Sequence, residues 1–148
     1  MSAVSDVQTH LQYMGLVDIT MSGAPDDWPS VRRKVHDGSD RLVVITEDGG
    51  LQPETPAAAG IGSSALGSPR VQVRVRAEPW NGDASEDKAT EIIRELHGRQ
   101  AVTMGETLYM LVTAMTDEPV FMGFDEKGRP EHTVSFDLTR AVPAPATT

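Results

Sequence analysis

At 148 residues with a formal charge of −9, the chain is long enough to bury one core, and residues 1–142 are expected to form a single domain. Its 13 Lys and Arg against 22 Asp and Glu argue against a general nucleic-acid binder, whose affinity comes from cations displacing counterions, and against docking on an anionic membrane. No cysteine is present, so disulfides, thiol catalysis and zinc–thiolate sites are excluded. No apolar run approaches the roughly 20 residues of a spanning helix. Met1–Asp6 lacks the basic and apolar regions of an export signal, so a soluble chain made in a cytoplasm is expected.

Val4, Val7, Leu11 and Met14 recur at helical spacing, with Ser2 or Ser5 as candidate N-cap and Gly15 as C′ residue. Ser22-Gly23-Ala24-Pro25 reads as a turn, and Asp26 or Asp27 before Trp28-Pro29 suits the start of a helical turn carrying a solvated Arg32-Arg33-Lys34 face. Leu42-Val43-Val44-Ile45 is a buried strand beside the turn signal Asp48-Gly49-Gly50. From Gly49 to Pro69 the chain is rich in Pro, Gly, Ala and Ser and offers little apolar mass, which predicts a long mobile loop between strands.

In Val71-Gln72-Val73-Arg74-Val75-Arg76 the valines alternate with polar residues, the period of a strand with one buried face. Arg74 and Arg76 then share the other face. Either they are solvated or paired there, or they hold a carboxylate across a subunit contact. The best-defined helix spans 84–97, capped by Asp83 with Glu86 reaching back; Ala89, Ile92, Ile93 and Leu96 form its buried stripe, and Gly98 ends it.

The last third reads as a three-stranded meander. Leu108, Met110 and Val112 alternate in 107–115, Thr116-Asp117-Glu118-Pro119 turns, Val120–Phe124 follows, and 125–130 turns again. Val134, Phe136 and Leu138 then face inward while Thr133, Ser135 and Asp137 face out. Pro143 and Pro145 mark a disordered tail over 143–148. The expected fold class is α+β: an antiparallel or mixed sheet of about four to five strands, two main helices on one face, and a long inter-strand loop.

Catalytic equipment is thin. His10, His36, His97 and His132 fall in four different elements without metal-ligand spacing. Ser63-Ser64 lacks nucleophile-elbow glycines, and Gly60-Ile61-Gly62 lacks a phosphate-loop Lys. The paired carboxylates Asp117-Glu118 and Asp125-Glu126 lie on turns, where acidic residues are common anyway. Neither an enzyme nor a cofactor or metal is expected.

In order, the chain carries an N-terminal amphipathic helix, the 71–76 strand, a helix ending Leu96-His97-Gly98, and Pro119–Pro130 leading into Thr133-Val134-Ser135-Phe136. In these features it resembles the tail terminator (tail-completion, minor tail or minor capsid) proteins of long non-contractile-tailed bacteriophages. The resemblance implies a structural virion protein that forms a ring, typically a hexamer, on the head-proximal end of the tail tube. Such a ring stops tube polymerisation, joins the head, and lets DNA pass without binding it specifically. Its partners would be itself, the tail tube protein and the head–tail connector or head-closure protein, with assembly in the host cytoplasm.

A ring of identical subunits needs two unlike patches. Arg74 and Arg76 are one candidate, and the acidic helix face of Glu86, Asp87, Glu91 and Glu95 is the other. The 49–69 loop, through Gly50, Gln52, Glu54, Ile61 and Leu66, is the candidate for docking onto tube or connector. Other readings are a head-closure, connector or tail-tube subunit, and a small-ligand or peptide-binding module; a tube subunit would polymerise without limit, and a module would keep an apolar pocket on a monomer.

Overall fold

A computed structural model describes residues 2–19, 27–35, 39–54 and 65–142. Along them run α1 (Ala3–Tyr13), β1 (Ser30–Arg32), β2 (Leu42–Glu54), β3 (Ala65–Arg76), α2 (Gly82–Leu96), β4 (Gln100–Met104), β5 (Thr107–Ala114), β6 (Val120–Phe124) and β7 (Pro130–Val142). The fold is α+β, with a mixed sheet curled into a half-barrel. Strand order is β1-β2-β3-β7-β5-β4; β6 pairs with the start of β7 and β5 with its later part. β1 runs parallel to β2, and the other pairings are antiparallel.

Local chemistry explains both helices. Ser2 Oγ accepts the Ser5 N–H at 3.2 Å and caps α1. At its other end Gly15 takes a φ of +77°, its N–H reaching Gln12 O at 3.0 Å while Leu16 N–H reaches Leu11 O at 2.9 Å. That is a Schellman close, made possible by glycine's freedom at positive φ. α2 is capped by Asn81, whose Oδ1 accepts from Ala84 N at 3.2 Å, not by Asp83 as expected. The amide of Asn81 is held in turn by Glu78, which fixes the cap two residues earlier than the expected Asp83.

The core is one continuous cluster. Val4, Val7 and Leu11 of α1 and Ala89, Ile92, Ile93 and Leu96 of α2 meet Val71, Val73 and Val75 of β3 and Val134, Phe136 and Leu138 of β7. The alternation read in the two strands therefore holds, with β7 placed between β3 and the β5/β6 edge.

Several expectations need correction. Among the described residues the sheet has seven strands, more than the four to five expected, because two short ones carry no period of their own. β4 is mostly exposed and exists through its hairpin with β5, where Met104 faces Thr107 across Gly105-Glu106. β1 occupies the place of the expected helical turn, and Pro29 O accepting Val43 N–H at 2.8 Å draws that segment into the sheet.

The expected loop at 49–69 is in large part strand. β2 and β3 pair out to Glu54↔Leu66, and β7 continues alongside to Ala65↔Val142. Two register shifts accommodate the glycines and Pro53, and the β7 ladder skips Ser68 and Pro69, where proline has no N–H to give. Gly50, Gln52, Glu54 and Leu66 thus lie on strands, whereas Ile61, the turn at 22–25, His36 and the 143–148 tail lie outside the described residues.

β5 also departs from its apparent phase. A register shift between Tyr109 and Leu111 puts Tyr109 and Val112 in the core, leaving Leu108, Met110 and Leu111 exposed. The predicted meander is replaced by two strands placed end to end against β7, so β5 and β6 do not form a hairpin.

Candidate assembly surfaces

The valines of β3 fill the core, so its intervening residues face away from it. Arg74 and Arg76 accordingly share the outer face, but their surroundings differ. Arg76 is only 2% exposed, and its guanidinium donates to the carbonyls of Ser39 (2.5 Å) and Asp40 (3.0 Å). Buried Arg129 lies close by, bonded to Asp125 at 2.7 Å and 3.7 Å from Asp40. These arginines anchor the chain leading into β2. Burial works against the Asp125 charge, yet hydrogen bonds from Arg129 and the Lys127 N–H hold its pKa below the usual range.

Arg74 is half-buried and has no hydrogen-bond or ion-pair partner among the described residues. It lines an open cleft of about 200 Å³ with Arg33, Lys34, Val35, Val44, Thr46 and Gln72. Arg33 takes a φ of +67°, uncommon for a side-chain-bearing residue, and this bends Lys34 and Val35 over the sheet. Its guanidinium pairs with Glu47 (2.7 Å), the hydrogen bond raising the Arg33 pKa and lowering that of Glu47. Lys34, like Arg74, has no partner among the described residues.

The acidic candidates sit on α2. Glu86, Asp87 and Glu91 are exposed, and Glu91 reaches Lys88 at 3.5 Å. Glu95 is half-buried between His10 (3.3 Å) and Arg99 (2.6 Å), so its charge is answered within the protomer. The structure therefore keeps Arg74 and the Glu86–Asp87–Glu91 face accessible, and uses Arg76 and Glu95 internally.

Sequence reasoning missed a third surface. Trp80 is 76% exposed, Phe121, Met122 and Phe124 are each about half exposed, and the rings form a chain: Trp80–Phe124 at 5.0 Å, Phe121–Phe124 at 5.4 Å, Phe121–His132 at 5.2 Å. Trp80 holds a φ of +62°, its N–H donates to Gly128 O at 2.9 Å, and its indole lies on Gly128 so closely that a Cβ there would come within 2.9 Å. The available signal was Val120-Phe121-Met122-Gly123-Phe124 itself, since an unbroken apolar run on a single-partner strand leaves side chains uncovered.

The histidines do not converge. His10 pairs with Glu95, His97 Nδ1 accepts the Ala114 N–H at 3.0 Å, and His132 Nδ1 lies 2.7 Å from Ser85 Oγ. The Ser85–His132 pair resembles half of a nucleophilic site, but Ser85 is 0% exposed, so no substrate carbonyl can reach it. Ser85 also donates to Gly82 O at 3.1 Å within the first turn of α2, and its contact with His132 ties that turn to β7. Among the described residues no group of three or more His, Cys, Asp or Glu could hold a metal ion, and no helix is long and apolar enough to cross a membrane.

Burial lowers the His132 pKa from its ordinary 6.5, against the pull of Glu86. Folding thus favours neutral imidazole, and this contribution is whole above about pH 6.5 and lost as pH falls below it. Glu78 acts in a lower window: the Arg41 hydrogen bond holds it at about 2, so its contribution disappears between 4.5 and about 2. Melting temperature is expected to fall from about pH 7 to about pH 5, and His132→Gln to flatten that part of the profile. An unchanged slope in the variant would remove His132 as the cause.

A family profile described as bacteriophage tail terminator protein matches residues 26–142, taking in the seven strands and α2 and leaving α1 outside. No curated protein matches the chain.

Proposed function

The chain belongs to the bacteriophage tail terminator family, and from that premise we propose that it forms a ring, a hexamer, on the head-proximal end of the tail tube. The ring ends tube polymerisation and presents the surface that the head–tail connector or head-closure protein joins. The family match carries this reading, because it spans the sheet and α2 that hold every candidate surface.

Physical features of the protomer support it. Ring closure needs unlike patches, and accessible Arg74 and the Glu86–Asp87–Glu91 face are opposite in charge. A subunit of net charge −9 lines a conduit that DNA phosphates do not adhere to, so the genome passes without specific binding. The role is structural, without catalysis, and the protein resides in the virion tail after assembly in the host cytoplasm.

In this reading the β2–β3 hairpin, carrying Gly50, Gln52, Glu54, Ile61 and Leu66, docks onto tube or connector. Its arms stay paired out to Glu54↔Leu66, past the valines of β2 and β3 that line the core. Removing residues 55–64 and joining the arms with a two-residue turn is expected to leave the melting temperature within a few degrees while abolishing head–tail joining. Normal infectious particles from that deletion would dismiss the hairpin as a docking element. Silencing the gene during infection tests the whole proposal, and should yield filled heads beside unattached tails of uncontrolled length. Tails of normal length in its absence would contradict the terminator role.

A further inference from the structure

Resting on the ring reading above, we propose that Trp80 of one protomer seats in the Arg33–Lys34–Arg74 cleft of a second copy of this chain. Trp80 is prepared for a partner. Left-handed backbone is uncommon at a residue that carries a side chain, and Gly128 and Phe124 hold the indole in place although solvent reaches 76% of the residue. A large aromatic side chain held rigid and left open is the usual anchor of a protein interface. Asp83 and Glu86, which follow Trp80 in the chain, and Glu126, on the turn that carries Gly128, are exposed carboxylates; Asp83 and Glu126 have no partner among the described residues, and Glu86 acts only electrostatically on His132.

The cleft has the complementary chemistry. Arg74 and Lys34 supply cations without partners among the described residues, and Val35 and Val44 supply apolar walls. A guanidinium over an indole face is favourable, more so when desolvated. The protomer already uses such a contact, with Arg41 4.7 Å from the centre of the Trp28 ring. Carboxylates around Trp80 would meet the cations at the cleft rim, setting the register of the contact.

Placement favours a head-to-tail contact. Phe121 pairs with His132, which pairs with core-facing Val75, so the ring chain leading to Trp80 starts on the core side of the sheet at the β6 edge. Arg74 pairs with Val44 and Thr133 on the outer face, and the cleft lies towards the β1–β2 edge. Patches on opposite faces and towards opposite edges cannot form a two-fold contact with themselves. They repeat from copy to copy until the rotation closes.

The test uses the full chain with Trp28→Phe, which leaves Trp80 as its sole tryptophan, assembled on tail tubes. On ring formation Trp80 emission should shift to shorter wavelength, and iodide quenching should fall several-fold. Trp80→Ala and Arg74→Ala should each weaken protomer association in sedimentation by about tenfold or more, and the double variant should lose little beyond either single change. Rings in which Trp80 stays open to iodide would overturn this contact and leave the ring reading standing. Tubes capped by a single protomer would overturn both. If Trp28→Phe does not fold, the Trp80→Ala and Arg74→Ala pair decides alone: rings of normal stability from either variant overturn the contact.

Discussion

Phe136→Ala is expected to lower stability by about 3–5 kcal/mol, a large share of the roughly 5–15 kcal/mol typical of a whole domain. Phe136 is fully buried on β7, between Val71 of β3 and Ala114 of β5, and shares its cluster with both helices. Truncation opens a cavity where the sheet cannot collapse, because β7 is held by ladders on both sides. Phe121→Ala, on a half-exposed residue of β6, should cost under about 1 kcal/mol. Urea denaturation of the two variants checks the contrast. Equal losses would mean that the exposed aromatic chain serves folding.

Tyr109→Phe comes next, with an expected loss of about 3 kcal/mol, far more than a hydroxyl at a solvated site. The Tyr109 hydroxyl donates to Asp6 Oδ2 at 2.6 Å, Asp6 is 0% exposed, and its Oδ1 has no hydrogen-bond partner. Burial first, then the bond to Asp6, raises the tyrosine pKa well above its ordinary value. Without the hydroxyl, a buried carboxylate loses its donor. Asp6→Leu combined with Tyr109→Phe should recover most of the loss, since apolar groups replacing both partners leave nothing unsatisfied. A double variant no more stable than Tyr109→Phe alone would show that the pair is not the source of the penalty.

This buried pair also marks where sequence reading stopped. Strict alternation in β5 selects Leu108, Met110 and Val112, and only the register shift before Leu111 brings Tyr109 inward to meet a helix about a hundred residues earlier. β7, β3 and the α2 stripe were legible because each buries one face against a single core, which imposes a clean period on the chain. β1 and β4 had no such imprint, being made by neighbours that pair with them. The β2–β3 arms run through Gly and Pro that argue against strand, yet partners on both sides of β3 supply the hydrogen bonds that local propensity cannot.

The same limit applies to the candidate surfaces. The spacing of Arg74 and Arg76 correctly put them on one face, but the coverage of Arg76 by Ser39 and Asp40 is a long-range event. Glu95 likewise belongs to the acidic stripe by position and to His10 and Arg99 by contact. Trp80 and the β6 aromatics have no assigned place until the topology shows β6 with β7 alone beside it among the described residues.

The most direct measurement is electron microscopy of tail tubes polymerising with and without the purified chain. Tubes are expected to stop growing and to carry one ring at one end. Decoration along the tube wall, or filaments made of this chain itself, would contradict the terminator role.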